Sequence, residues 1–220
     1  MKKAGWVLGV SRITREIGVF YFRLGDFSQA LEYFHEAHQI VEETQNYNEI
    51  NTCLEFLFEG YLTLEDYDNA LLHLEQAQAN WLKLNGEARN AQLSLTEGQV
   101  RLLKQEYDRA RLAFLDNLAI KRQRGQMIDQ EDYWYLGTAY RRLQRLDSAM
   151  VYYEKALVAV REGADLATTV DCHLGLGGIH EEWSEQRAAL EDYRAAYRIA
   201  IDNNFREKEM DASVGLYRVY

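Results

Sequence analysis

Five alanines, Ala30, Ala70, Ala110, Ala149 and Ala189, recur at gaps of 40, 40, 39 and 40 residues, and four residues after each stands Phe34, Leu74, Phe114, Tyr153 or Tyr193. A fixed period in this range means that one supersecondary unit is stacked, each copy burying its apolar face only against its neighbours. Seven residues beyond the alanines come Ala37, Ala77, Asn117, Ala156 and Ala196; nine before them come Tyr21, Tyr61, Arg101, Tyr140 and His180. The pair Ile17-Gly18 returns as Leu57-Phe58, Glu97-Gly98, Leu136-Gly137 and Leu176-Gly177, and the same phase continues to Leu216-Tyr217 and Tyr220.

Within a unit the spacing is helix, turn, helix. Phe20, Leu24, Phe27, Leu31 and Phe34 lie three or four apart, a helical period. Gly25-Asp26 punctuates the first unit, glycine taking left-handed angles at a helix end and aspartate capping the next helix. Glu65, Gln105, Gln144 and Ser184 stand in glycine's place later, so the same turn there carries about 1 kcal/mol of strain each. Alanine at a close helix crossing lets the backbones approach while the aromatic one turn on fills the groove. A second class of turn is expected at Glu43 to Asn48, Leu84 to Glu87, Arg124 to Asp129, Glu162 to Asp165 and Asp202 to Arg206, leaving roughly 16 residues per helix, or ~24 Å.

The small residue, the aromatic three on, the Gly-Asp-Phe turn and the alanine-aromatic-alanine helix resemble the tetratricopeptide repeat. The resemblance covers residues 11 to 220, with units at about 11–50, 51–90, 91–129, 130–169 and 170–209 and a partial unit at 210–220. It implies an all-α fold, a single right-handed α-solenoid of stacked antiparallel helix pairs. The chain departs from the common form in its longer units and in having no proline after the second helix. Such longer units resemble those of bacterial regulators, sensor kinases and peptide receptors. Unit three diverges most, with Glu97, Arg101 and Asn117 at normally apolar or small positions, and the stack is expected to be weakest there.

Composition narrows the function classes. Average usage gives roughly 11 prolines in a chain of this length, and there are none, as continuous helix allows. The longest apolar runs fall far short of the ~20 residues that cross a bilayer, so no membrane partner is expected. No clean cleavage pattern follows Met-Lys-Lys, and Cys53 and Cys172 lie about three units apart with no disulfide framework, which places the chain in the cytoplasm. A net charge of −10 excludes a nucleic-acid partner, because phosphate neutralisation by lysine and arginine carries such binding. Lys121, Arg122 and Arg124 read as a solvated helix end.

Catalytic and metal motifs fail on geometry. Gly175-Leu176-Gly177-Gly178 follows no strand and falls inside a helix by phase, so close packing explains it. His35 and His38 have a spacing that two metal ligands could use, but no third ligand accompanies them, and a solvated pair is expected. Cys172 and His180 are eight residues apart, more than two helical turns, too far for a nucleophile and its base; His180 takes the repeated tyrosine's place and packs in the core. Glu181 and Glu182, being adjacent, point to different helix faces. No catalysis, metal or cofactor is implied.

The resemblance implies that the first helix of each unit lines a concave groove for an extended or helical peptide. By phase, the groove residues include Arg12, Arg15, Phe22 and Arg23 of unit one, Glu55 and Glu59 of unit two, Trp134, Thr138, Arg141 and Arg142 of unit four, and Glu181 of unit five. Arginine suits carboxylates, which its guanidinium holds with two parallel hydrogen bonds. Trp134 is the outstanding candidate, since tryptophan dominates binding hot spots, although packing on a neighbouring helix accounts for it equally well. The function expected is a non-catalytic scaffold for a protein or peptide segment of acidic character, the sensory or assembly part of a larger bacterial regulatory protein. The alternative is self-association, a homodimer through the terminal helix.

Overall fold

The computed structural model describes residues 2–86, 90–160 and 165–220. These residues form helices throughout, in two compact units, Met1–Glu106 and Tyr107–Tyr220. The first holds α1 (Lys2–Arg23), α2 (Phe27–Glu42), α3 (Tyr47–Thr63), α4 (Tyr67–Asn85) and α5 (Ala91–Leu103). The second holds α6 (Tyr107–Gln123), α7 (Gln130–Arg142), α8 (Leu146–Val158), α9 (Leu166–Glu182), α10 (Gln186–Asp202) and α11 (Arg206–Val219). The division falls inside the third repeat. Helices α5, α7 and α8 have 13 residues, shorter than the expected 16. Glu87 and Glu162, where two of the expected turns begin or end, lie outside the described residues.

The repeat sets the packing. All five phase alanines are fully buried, and Phe34, Leu74, Phe114, Tyr153 and Tyr193 one turn later are buried as well. Within a pair α1 packs on α2, α3 on α4, α7 on α8 and α9 on α10; each second helix then packs on the first helix of the next pair, as α2 does on α3 and α8 on α9. The third-repeat departures have polar solutions. Arg101, in the tyrosine phase, is held by Glu97 at 2.7 Å and Glu106 at 2.8 Å. Asn117, in the alanine phase, is fully buried and donates to the Asp132 carboxylate at 2.7 Å. Lys121 lies 2.5 Å from the same carboxylate, so it belongs to a buried network and is not a solvated helix end.

The turn within each pair is the same five times. The φ angles are +80° at Gly25, +57° at Glu65, +61° at Gln105, +57° at Gln144 and +62° at Ser184. The amide after each donates to the carbonyl five residues back, from Asp26 to Tyr21, Asp66 to Tyr61, Glu106 to Arg101, Arg145 to Tyr140 and Glu185 to His180. This 6→1 bond with its inner 5→2 partner is the Schellman closure, which requires the left-handed residue. Side chains other than glycine pay a steric cost in that region. Gln144→Gly is therefore expected to raise the stability of the second unit by about 0.5–1 kcal/mol in denaturant melts, and a destabilised variant would show that the turn carries no strain.

Candidate functional site

Glycine and tyrosine together build a groove in the second unit. A Cβ on Gly137 of α7 would lie 2.8 Å from the Tyr153 ring, and one on Gly175 of α9 would lie 2.6 Å from its other edge. Tyr193 is held between Gly177 of α9 and Gly215 of α11, whose Cβ atoms would lie 2.8 and 2.5 Å from the same edge of its ring. The missing side chains let each ring pass between two first helices. The hydroxyls emerge on the far side: that of Tyr153 lies 3.3 Å from Thr138 Oγ1, and that of Tyr193 donates to Glu181 at 2.7 Å. In the first unit, Phe34 instead meets Phe56 with ring centroids 5.1 Å apart and delivers no hydroxyl. The Gly175-Leu176-Gly177-Gly178 segment is thus a packing device, as its helical phase indicates.

Tyr153 and Tyr193 help line a groove of about 790 Å³ that also contains Trp134, Thr138, Arg141 and Arg142 from α7, and Met210, Asp211, Val214 and Arg218 from α11. Four of the residues chosen by phase therefore share one concavity. Trp134 is half-buried: it packs on the cluster of Tyr153, Cys172 and Leu176 and also faces the groove, combining its two expected placements. Arg141 lies across Gly178, where any Cβ would collide with the guanidinium. Among the described residues neither Arg141 nor Arg142 is paired with a carboxylate. The acids on the facing helices are partly spent. Asp171 is bonded to Lys208, and Glu181 takes Arg218 at 3.0 Å besides Tyr193. Burial, followed by the hydrogen bond to Glu181, pushes the Tyr193 hydroxyl up to about 12, so it remains a donor at neutral pH.

The other phase candidates stand elsewhere. Arg12 and Arg15 both turn to Glu49 of α3, Arg12 through Nε at 2.9 Å and Arg15 through Nη1 at 3.4 Å, and Arg15 also covers the Phe56 ring. The Arg12 hydrogen bond holds the Glu49 carboxyl low against the opposing effect of burial. Phe22 packs against Phe27 and Phe34 in the core of the first pair and does not stand free in a groove. Arg23 is exposed. Glu55 and Glu59 are exposed one turn apart on α3; partial burial and then the Glu59 charge push the Glu55 carboxyl up.

Residues outside the groove have structural partners. His35 is exposed, as expected, and its ring bonds the Tyr61 hydroxyl at 2.7 Å and meets the His73 ring edge to face; partial burial lowers the pKa of His35, His38 and His73. Among the described residues no cluster of histidine, cysteine and carboxylate has the geometry of a metal site. His173 and His180 both address Asp192, at 3.0 and 2.9 Å. Burial pushes the Cys172 thiol up to about 12, which keeps it protonated.

Sequence reasoning missed Glu49, Arg218 and the two groove tyrosines. A signal for the tyrosines existed: where the second-helix aromatic is Tyr and not Phe, the next first helix carries Gly175 or Gly215 at the position of Phe56 and Tyr135.

Comparison with known proteins agrees with this architecture. Residues 133–157 match the tetratricopeptide repeat. No curated protein matches the sequence. The fold is similar to BtubC (BKLC) from P. vanneervenii, with a TM-score of 0.74 at 20% identity over 90% of this chain and 82% of that one. It is also similar to the MamA 41-end fragment from Desulfovibrio magneticus RS-1, with a TM-score of 0.66 at 20% identity over 87% and 96% of the two chains. A signal-transduction ATPase with numerous domains and a tetratricopeptide-repeat sensor, from Pyrococcus horikoshii, gives 0.72 at 18% identity over 94% of this chain and 32% of that one. Among the described residues no helix is long and apolar enough to cross a membrane. Repeat phase, helix pairing and the matched unit make the chain a stack of tetratricopeptide-type helix pairs with units of about 40 residues, a fold it shares with these proteins.

Proposed function

We propose that this chain is a non-catalytic scaffold that takes a protein or peptide segment of acidic character in the groove of its second unit, as the cytoplasmic sensory or assembly part of a larger bacterial regulatory protein. The observation that carries this reading is the juxtaposition of Arg141 and Arg142, which lack carboxylate partners among the described residues, with the half-buried indole of Trp134 and the apolar Met210 and Val214. A carboxylate bound there satisfies the guanidiniums, and an apolar neighbour covers the ring. The likeness to a protein whose repeats are described as a sensor supports the regulatory part of the reading. The exposed Tyr217 of α11 and Tyr220 just after it favour a second reading, self-association at that end.

The test is calorimetry with a panel of acidic peptides that contain one aromatic or aliphatic residue. Trp134→Ala is expected to cost about 2 kcal/mol or more of binding, as hot-spot truncations do. Replacing both Arg141 and Arg142 by glutamine is expected mainly to slow association and to flatten its salt dependence. A peptide that binds the Trp134→Ala protein with unchanged affinity places recognition elsewhere.

A further inference from the structure

Helix α1 exposes an apolar stripe. Trp6 is 74% exposed, Ile13 66% and Phe20 59%, and Ile17 and Leu24 are also open. In the other first helices the central positions of this register, those of Ile13, Ile17 and Phe20, are mostly buried, whereas the equivalents of Leu24, such as Leu64 and Trp183, stay exposed. The equivalents of Ile17 include Leu57, Leu136 and Leu176, those of Phe20 include Gly60, Ala139 and Ile179, and those of Ile13 include Cys53 and Cys172; these are buried. They are covered by the second helix of the preceding pair: Leu57 clusters with Ala30, Leu31 and Phe34 of α2, and Cys172, Leu176 and Ile179 with Ala149, Tyr153 and Ala156 of α8.

The spacing of the stripe and the charges beside it select the occupant. Ile13, Ile17, Phe20 and Leu24 follow one another at intervals of four, three and four, with Trp6 one heptad before Ile13. That is the seam of a helix that interdigitates large residues with a partner of the same kind. Glu16 and Arg23 are both exposed, seven residues apart on one edge of the seam. In an antiparallel pair each edge faces itself, so a twofold axis near residue 19 sets Glu16 of one copy against Arg23 of the other, twice. Glu16 lies only 3.9 Å from Arg15, whose guanidinium is engaged by Glu49, so its carboxylate has capacity to spare.

We infer that the α1 stripe is the face on which two copies of this chain associate, antiparallel and about a twofold axis. The groove of the second unit plays no part in this contact.

Sedimentation equilibrium of the full chain over a wide concentration range tests it. The unaltered protein is expected to show a reversible monomer–dimer equilibrium. Ile17→Glu combined with Phe20→Glu is expected to leave the helix content of the monomer unchanged, the residues being exposed, and to weaken the dimer at least about tenfold. Glu16→Arg alone is expected to weaken it by bringing like charges together, and Glu16→Arg combined with Arg23→Glu to restore it, which a merely apolar contact would not do. A monomer at every concentration overturns the inference. So does a dimer unaffected by these changes, which moves the interface to another surface such as the exposed tyrosines of α11; so does a charge swap that fails to restore association.

Discussion

Asp132→Ala is expected to destabilise the second unit by about 3–5 kcal/mol, the range for removing one partner of a buried ion pair. The carboxylate is almost fully buried and serves three donors: the Asn117 amide at 2.7 Å, the Lys121 ammonium at 2.5 Å and the Asp129 backbone amide at 2.8 Å. Burial lowers the Lys121 pKa, but the hydrogen bond and charge of Asp132 outweigh it and hold the group charged. Truncation leaves a fully buried amide without an acceptor and a largely covered ammonium with only Asp129 at 3.2 Å. Denaturant melts measure the loss. Adding Asn117→Ala to the variant is expected to recover a substantial part of it, because Ala37 against Cys53 and Ala196 against Ala212 show that apolar pairs pack well at this junction. A single-variant cost below about 1 kcal/mol would show that water satisfies the orphaned groups.

Gly175→Val is expected to cost up to about 3 kcal/mol by overpacking, since even its first added carbon falls 2.6 Å from the Tyr153 ring. The side chain that must yield is itself clamped on its other edge by Gly137. Combining Gly175→Val with Tyr153→Leu is expected to restore stability while removing the hydroxyl beside Thr138, so the pair separates packing from groove chemistry. Additive effects in the double-variant cycle would mean that the ring and the glycine do not touch as described.

The sequence carried the architecture because it states the same packing solution several times: alanine phase, aromatic phase and turn residue each point to one helix pair, and the left-handed angle at Glu65 and Gln144 follows once Gly25 is recognised. Single departures were harder to read. Asn117 alone looks like a defect in an alanine series, and Asp132 alone looks like a surface cap. They become a pair only when second-helix residues are set against the following first helix, where Ala37 meets Cys53 and Ala156 meets Cys172. Phase also put Trp134, Thr138, Arg141 and Arg142 on one line, and the structure sets them around one cavity. Phase could not show that Arg12 and Arg15 are spent on Glu49, because an ion pair across a helix interface depends on side-chain reach and not on period.

The two threaded tyrosines bear on the entropy of recognition. Side chains on a first helix facing solvent sample several rotamers, and a ligand must arrest them. Tyr153 and Tyr193 come from the layer behind, and each ring is held between two glycines before any ligand arrives, Tyr153 on both of its edges and Tyr193 along one. Their hydroxyls are fixed points on the groove floor, so a ligand that addresses them pays little for ordering the protein. Discrimination at those two points then depends on where the ligand's polar atoms fall, because the floor does not move to meet a poor match.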